Sequence, residues 1–239
     1  MKNLLEINDA HVYIGSFYIL QGISMVVPEG EVTLLLGRNG AGKTTTMKAI
    51  LGIYPPKQGK IMLNGEEISN LPTHKVVNKG IGYVPDTRRI FSTLTVEQNL
   101  IVSRRKGTSK DVMAERMELI FDLFPDMKRF IKQRAGTLSG GQQQMLAVAR
   151  ALVNENELLL IDEPTEGLSP LLAKNLMASL ARLKEYATIL LVEQNFRTVT
   201  KLGDNYYILD SGKIVHEGNN MSELIEDKAL VAQYLGVNI

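Results

Sequence analysis

The 239-residue chain has no cysteine, which removes disulfides and thiolate zinc sites and suits a reducing interior. Its three histidines, His11, His74 and His216, stand at spacings that match no metal motif and read as ordinary surface or strand residues. No apolar run approaches the roughly 20 residues needed to cross a bilayer. The opening Met1-Lys2-Asn3-Leu4-Leu5-Glu6-Ile7-Asn8-Asp9 puts acids where a secretory signal needs an unbroken apolar stretch. Any link to a membrane is therefore expected to run through a protein partner. An excess of one charge is missing too: 27 Lys and Arg against 26 Asp and Glu leave a net charge of +1. That balance gives no global attraction for nucleic acid or an anionic membrane. Linkers, low-complexity runs and internal repeats are absent as well. What remains, 44% hydrophobic and 22% charged residues, is ordinary for a soluble globular protein large enough to build a sizeable core.

Against this plain background one stretch stands out. Gly37-Arg38-Asn39-Gly40-Ala41-Gly42-Lys43-Thr44 fits G-x-x-x-x-G-K-[ST] and follows the apolar run Val32-Thr33-Leu34-Leu35-Leu36. Glycines let backbone N–H groups turn inward around phosphate oxygens at the start of a helix, where the dipole favours anions. Lys43 supplies a point charge for the β- and γ-phosphates, and the Thr44 hydroxyl suits Mg²⁺. Thr45 opens the helical stretch that follows. The reading is a nucleoside triphosphate site.

Along the chain, residues 4–7, 19–27 and 32–36 read as strands, with Pro28-Glu29-Gly30 as a turn. The helix after the phosphate loop is expected to end at Gly52. Further strands are expected at residues 59–63 and 80–84. Val96, Leu100, Met113, Met117, Ile120, Phe121 and Phe124 recur at helical spacing, with Arg104-Arg105-Lys106-Gly107 as a solvated break between two helices. Strand and helix then alternate at 157–161, 171–183 and 188–192, before two short strands around Asp210-Ser211-Gly212. The whole reads as a single α/β domain over residues 1–239 with a helical insertion near 86–152.

Leu158-Leu159-Leu160-Ile161-Asp162-Glu163 would be a buried parallel strand delivering two carboxylates to the sheet's carboxyl edge. There Asp162 would hold Mg²⁺ through water, and Glu163 would polarise the attacking water as general base. Between these motifs, Leu138-Ser139-Gly140-Gly141-Gln142 opens a helix and forms a second anion-binding N-terminus. One phosphate loop rarely needs two such caps, so the second is assigned to a different nucleotide; a simple capped helix is the alternative.

With these motifs in this order, the chain resembles the nucleotide-binding subunits of ABC (ATP-binding cassette) transporters over essentially all its length. The resemblance implies a P-loop NTPase core with an N-terminal antiparallel β-subdomain and an inserted helical subdomain. It implies ATP and Mg²⁺ as ligands, a glutamine-loop region at Pro85-Asp86, and a switch at Gln194 in Leu191-Val192-Glu193-Gln194-Asn195. Two subunits would pair head to tail, so that Ser139, Gly140 and Gly141 of one cap the γ-phosphate held by Lys43 of the other. The finer resemblance is to the branched-chain amino-acid uptake subfamily and its urea-type relatives. It rests on Pro85-Asp86-Thr87-Arg88-Arg89-Ile90-Phe91, on Leu94-Thr95-Val96-Glu97-Gln98-Asn99-Leu100 and on Glu163-Pro164-Thr165-Glu166-Gly167-Leu168-Ser169-Pro170. That subfamily usually carries glutamine at the switch, so the Gln194 amide is expected to hydrogen-bond the γ-phosphate without carrying a proton.

The resemblance implies a cytoplasmic ATPase, peripheral on the inner membrane face, that binds transmembrane permeases and a second ATPase subunit but no nucleic acid. An export, lipid or urea transporter ATPase shares the chemistry, and a soluble ABC ATPase acting on ribosomes or DNA is the more distant rival. Three positions depart from the family pattern. Ile14 stands where an adenine-stacking aromatic is usual, so Tyr13 either stacks by a one-residue shift or is a strand residue. Asp86 replaces glutamine, and is either an approach to Mg²⁺ through water or a loop-start aspartate. Ser169 replaces an acid. Four of six phenylalanines, Phe91, Phe121, Phe124 and Phe130, lie in the insertion, either packing it internally or lining an apolar groove for a membrane partner.

Overall fold

A computed structural model describes residues 2–236. The chain passes through β1 (Asn3–Ile14), β2 (Phe17–Pro28), β3 (Val32–Leu36), α1 (Lys43–Ile50), β4 (Gln58–Leu63), β5 (Glu66–Glu67), α2 (Thr73–Asn78) and β6 (Ile81–Val84). It continues through α3 (Val96–Val102), α4 (Lys110–Leu123) and α5 (Gly140–Leu152). It then returns to β7 (Leu158–Asp162), α6 (Pro170–Leu183), β8 (Thr188–Glu193), α7 (Phe196–Val199), β9 (Asn205–Asp210), β10 (Lys213–Gly218) and α8 (Met221–Glu226).

Two sheets result. One is antiparallel, in the order β2-β1-β4-β5; the other runs β10-β9-β3-β8-β7-β6, with every pair parallel except β10 against β9. The second sheet is the structural centre. β3, β7 and β8 are buried at every residue, which is why their sequences are continuous apolar runs rather than alternations. Alternate residues still feed different cores. Leu34, Leu159, Ile161, Ile189 and Leu191 join the helices on one face, whereas Leu35, Leu158, Leu160, Leu190 and Val192 join α1 and the antiparallel sheet on the other.

Between β6 and β7 the chain is helices and loops. Sequence-local caps start these helices: Thr95 and Gln98 form a reciprocal capping box on α3, Ser109 caps α4, and Ser139 with Gln142 forms a second box on α5. Phe124 and Phe130 are buried, Phe121 is half-buried, and only Phe91 is exposed, at 46%. The four phenylalanines therefore do not line one open groove; packing accounts for most of them.

Two expectations change. The N-terminal strands are longer than residues 4–7 and 19–27, because cross-strand pairing carries the polar stretch through to a two-residue connection with Gly15 at φ +61°. Arg105 is no solvated break residue. Its guanidinium donates to the carbonyls of Val77 (2.7 Å) and Glu155 (3.1 Å) and to Asn156 Oδ1 (2.6 Å), tying the helical segment to the sheet. A charge run in sequence does not reveal backbone acceptors brought in from elsewhere.

Leu35 is fully buried between the two sheets. Leu35→Ala should cost about 2–5 kcal/mol. Urea denaturation should show a lower midpoint at similar slope, and an unchanged midpoint would contradict this packing.

Candidate functional site

The parallel strands β3, β6, β7 and β8 end at one edge of the sheet, the place where α/β folds bind ligands. After β3 the chain makes the phosphate loop. Arg38, Asn39 and Gly40 form its exposed crown, while Gly37, Ala41, Gly42 and Lys43 are buried beneath it. Gly37 has φ +150°, and a Cβ there would meet the Leu209 carbonyl oxygen at 2.2 Å, so both conformation and space require glycine. Gly42, at φ +113°, is the N-cap of α1 and offers no side-chain cap. Thr46 N–H is paired, to Gly42 O at 2.9 Å; the first-turn amides of Lys43, Thr44 and Thr45 lie ahead of it, beyond the reach of intrahelical acceptors. First-turn amides left without a side-chain cap fit phosphate oxygens.

Lys43 is 4% exposed, and its ammonium donates to Gly37 O (2.9 Å) and Arg38 O (3.1 Å). It also pairs with Glu163 Oε1 at 3.1 Å. Phosphate loop and acidic strand end are thus joined directly. Glu163 sits at φ +44°, an uncommon backbone conformation for glutamate, and its N–H donates to Val192 O at 2.9 Å. Strain of that kind collects at functional positions.

Asp162 is fully buried, and neither carboxylate oxygen has a hydrogen-bond partner among the described residues. The hydroxyls of Thr44 and Tyr83 stand close enough to act on its charge without closing a well-formed bond. Burial chiefly pushes the Asp162 carboxyl up, from 3.8 to about 6; Thr44 and Lys43 oppose this, while Asp86 and Glu163 add to it. An orphaned buried carboxylate beside a threonine hydroxyl fits a hydrated Mg²⁺, which keeps several waters and takes one or two protein oxygens together with phosphate. Among the described residues no group of three or more His, Cys, Asp or Glu forms a self-sufficient metal cage.

The remaining sequence candidates fall differently. Gln194 is exposed just after β8, one residue beyond Glu193. Asp86 is exposed and its Oδ1 accepts from the N–H of Thr87 at 2.7 Å, which is loop-start behaviour, although its charge still reaches Asp162. Tyr13 stacks on Tyr18 with centroids 4.5 Å apart. It lies on the strand face opposite buried Val12, whose partner Leu20 abuts Gly42. Its contacts are those of a strand residue.

Ser139 and Gly140 are accessible at the start of α5, and Gly141 is buried, leaving room for little beyond a hydrogen against Leu172. Gln142 spends its side chain on the capping box, accepting from Ser139 N–H at 2.9 Å. Among the described residues no hydrogen bond or ion pair joins residues 139–142 to the phosphate loop of the same chain.

Two features escaped sequence reasoning. The Arg88 guanidinium lies over Gly140, where a Cβ would be 3.1 Å from Nη1. The Glu193 carboxylate, 3% exposed, accepts from the Thr165 hydroxyl (2.6 Å) and N–H (3.1 Å) and from Asn195 N–H (3.4 Å). Burial pushes its carboxyl up against those donors, and the charge of Glu163 adds to the rise. Nothing at i±4 in the sequence points to either contact, because each partner arrives from another loop.

A phosphate cradle after β3 and an orphaned acid and a strained glutamate at the end of β7 share one edge of the sheet with β8 between them, and the family model described as ABC transporter matches residues 20–166. The chain belongs to the ABC transporter family. This ABC ATPase is 40% identical, over 98% of its length and all of the other's, to the high-affinity branched-chain amino acid transport ATP-binding protein BraG of Pseudomonas aeruginosa. It is 38% identical to the probable branched-chain amino acid transport ATP-binding protein LivF of Archaeoglobus fulgidus, over 92% of this chain and 93% of that one. Over the full length of both chains it superposes on MJ1267, an ATP-binding cassette of an ABC transporter, with TM-score 0.87 and 25% identity. The expected fold is thereby borne out, and with it ATP hydrolysis coupled to transport as the family's activity. Subunits of this family dimerise and pair with permease components.

The electrostatics of Asp162 can be checked without nucleotide. Its folded-state value lies above the unfolded 3.8, so the penalty for the buried charge is absent below that pH and complete above about 6. Asp162→Asn should therefore stabilise the nucleotide-free ABC ATPase by on the order of 3 kcal/mol at pH 8 and about half that at pH 5. Urea titrations at the two pH values measure this; equal stability of variant and wild type at pH 8 would contradict the buried orphan charge.

Proposed function

We propose that this ABC ATPase powers the uptake of branched-chain amino acids, acting from the inner face of a membrane on permease subunits. The observation that carries the cargo is the 40% identity to BraG along the whole chain. Among the described residues no helix is long and apolar enough to cross a membrane, which supports attachment through partners.

In this reading Lys43 and the amides of residues 37–45 hold the triphosphate, with Arg38, Asn39, Gly40 and Ala41 shaping the loop. Thr44 and Asp162 would hold Mg²⁺, which when bound supplies positive charge at the phosphates; Asp86 would approach only through water. Phosphate oxygens compete with Glu163 for Lys43, so nucleotide binding frees the carboxylate. Glu163 then accepts a proton from water as the water oxygen bonds to the γ-phosphorus and the bond to the bridging oxygen breaks, leaving ADP and phosphate. The Gln194 amide orients the γ-phosphate or the attacking water. Because no hydrogen bond or ion pair among the described residues joins 139–142 to their own phosphate loop, Ser139, Gly140, Gly141 and the Gln142-capped helix serve the nucleotide of a second copy or a paralogue. Tyr13 has no part in base stacking here.

Residues 86–152 act as the lever. Beside them lies a groove of about 320 Å³ lined by Arg88, Arg89, Arg105 and Arg150, with exposed Phe91 under Arg150 at 4.8 Å. None of the four arginines makes an ion pair among the described residues. A permease segment presenting acidic and apolar side chains fits this groove. The near-neutral net charge supports no role with nucleic acid.

Cells lacking the chain should lose uptake of radiolabelled leucine, isoleucine and valine. Wild type should restore it, Lys43→Ala should not, and Arg89→Glu should reduce co-isolation of permeases while ATP hydrolysis persists. Unimpaired uptake in the deletion would sink the cargo assignment.

The chemistry has a separate check. Glu163→Gln should cut single-turnover hydrolysis by roughly 10² to 10⁴ while ATP still binds. That variant should dimerise with MgATP and not with MgADP, and adding Ser139→Arg should abolish the dimer, as read by light scattering. Wild-type turnover in Glu163→Gln, or a dimer indifferent to nucleotide, would contradict the assignments.

A further inference from the structure

Glu193 has no place in the mechanism above, yet it is a carboxylate 3% exposed at the active edge of the sheet. Burying a charge there is costly unless its hydrogen bonds are satisfied. Its partners are not spread through its own element. Oε1 takes both the hydroxyl and the N–H of Thr165, on the loop after β7, and Oε2 takes the N–H of Asn195, on the loop after β8.

These loops carry the two residues assigned to hydrolysis. Thr165 is two residues beyond Glu163, and Asn195 follows Gln194 directly. Glu163 is itself anchored through its N–H to the carbonyl of Val192, the residue before Glu193. The strained glutamate at φ +44° is thus bracketed by two anchors, both supplied by the last two residues of β8. Without the second anchor, the loop after Glu163 could relax and release the strain. We propose that Glu193 is a positioning residue for hydrolysis, cross-linking the loop of Glu163 to the loop of Gln194 so that the base and the phosphate-facing amide hold one relative geometry. The inference deepens the reading of those two residues and rests on it.

Misplacement by about 1 Å near a reacting centre can cost 10²-fold in rate, so the loss belongs in kcat rather than in binding. In the purified full chain, Glu193→Ala should lower kcat roughly 10- to 100-fold with KM for ATP within about threefold of wild type. Glu193→Gln keeps one carbonyl oxygen for Thr165 but turns an NH₂ toward Asn195 N–H, and should fall between. Thr165→Val should lower kcat and Thr165→Ser, which restores the hydroxyl, should recover it. The double variant Glu193→Ala/Thr165→Val should be no slower than Glu193→Ala alone, because the hydroxyl contact that Thr165→Val deletes is one of the three already lost in Glu193→Ala.

If Glu193→Ala fails to fold, the Thr165→Val and Thr165→Ser pair reads the same contact from its other end. Wild-type kcat in folded Thr165→Val, equal losses in the valine and serine variants, or a fall in ATP affinity with kcat intact would overturn the proposal. Glu163→Gln, assayed beside these, separates the two layers: if it is unimpaired the base assignment falls, whereas impaired Glu163→Gln with unimpaired Glu193→Ala and Thr165→Val overturns only the role of Glu193.

Discussion

Burial of the central parallel sheet on both faces constrains everything else in this ABC ATPase. Strands β3, β7 and β8 have no exposed residue along their length, so no charged group can sit within them without a large desolvation cost. Polar chemistry is driven to the strand ends, and parallel pairing brings all those ends to one edge. The phosphate loop, the Asp162–Glu163 pair and the Glu193–Gln194 pair are consequences of that single arrangement. The edge is also where helix α1 begins, so free amides and acidic side chains face a common space.

Opposite charges then set the resting state of the site. Lys43 is held by loop carbonyls and by Glu163, which neutralises the two charges together. Asp162 has no such compensation and carries a raised affinity for a proton. A cation in that place would satisfy the charge that the protein alone leaves uncompensated. Stability and function pull in different directions at this residue, as they do where strain is stored at Glu163.

The two remaining surfaces follow from what the sheet does not cover. Among the described residues the accessible start of α5 makes no hydrogen bond or ion pair with its own chain's phosphate loop. The arginine-lined groove beside the helical segment concentrates positive charge on a chain whose total is near zero, so its local charge is a matter of placement rather than of net charge.

Fixed-spacing chemistry was legible from the sequence alone. The phosphate loop, the apolar strand ending in two acids, the Ser-Gly-Gly-Gln turn and the order of elements all depend on residues close in the chain, where backbone geometry is locally determined. So were the caps of α3 and α5, which need only a side chain and an amide three residues apart. Tyr13 was beyond it, because which face of a hairpin meets the phosphate loop depends on pairing register, and a shift of one residue reverses every side chain. Arg105 read as a solvated charge until distant carbonyls converged on it. Glu193 read as one letter of a strand end, and its hold on Thr165 exists only because β7 and β8 lie side by side. The sequence by itself determined which chemistry the chain carries, since that chemistry is written in contiguous motifs. The tertiary structure alone decided which of those groups meet, because contacts between separate strand ends follow from packing and register rather than from local spacing.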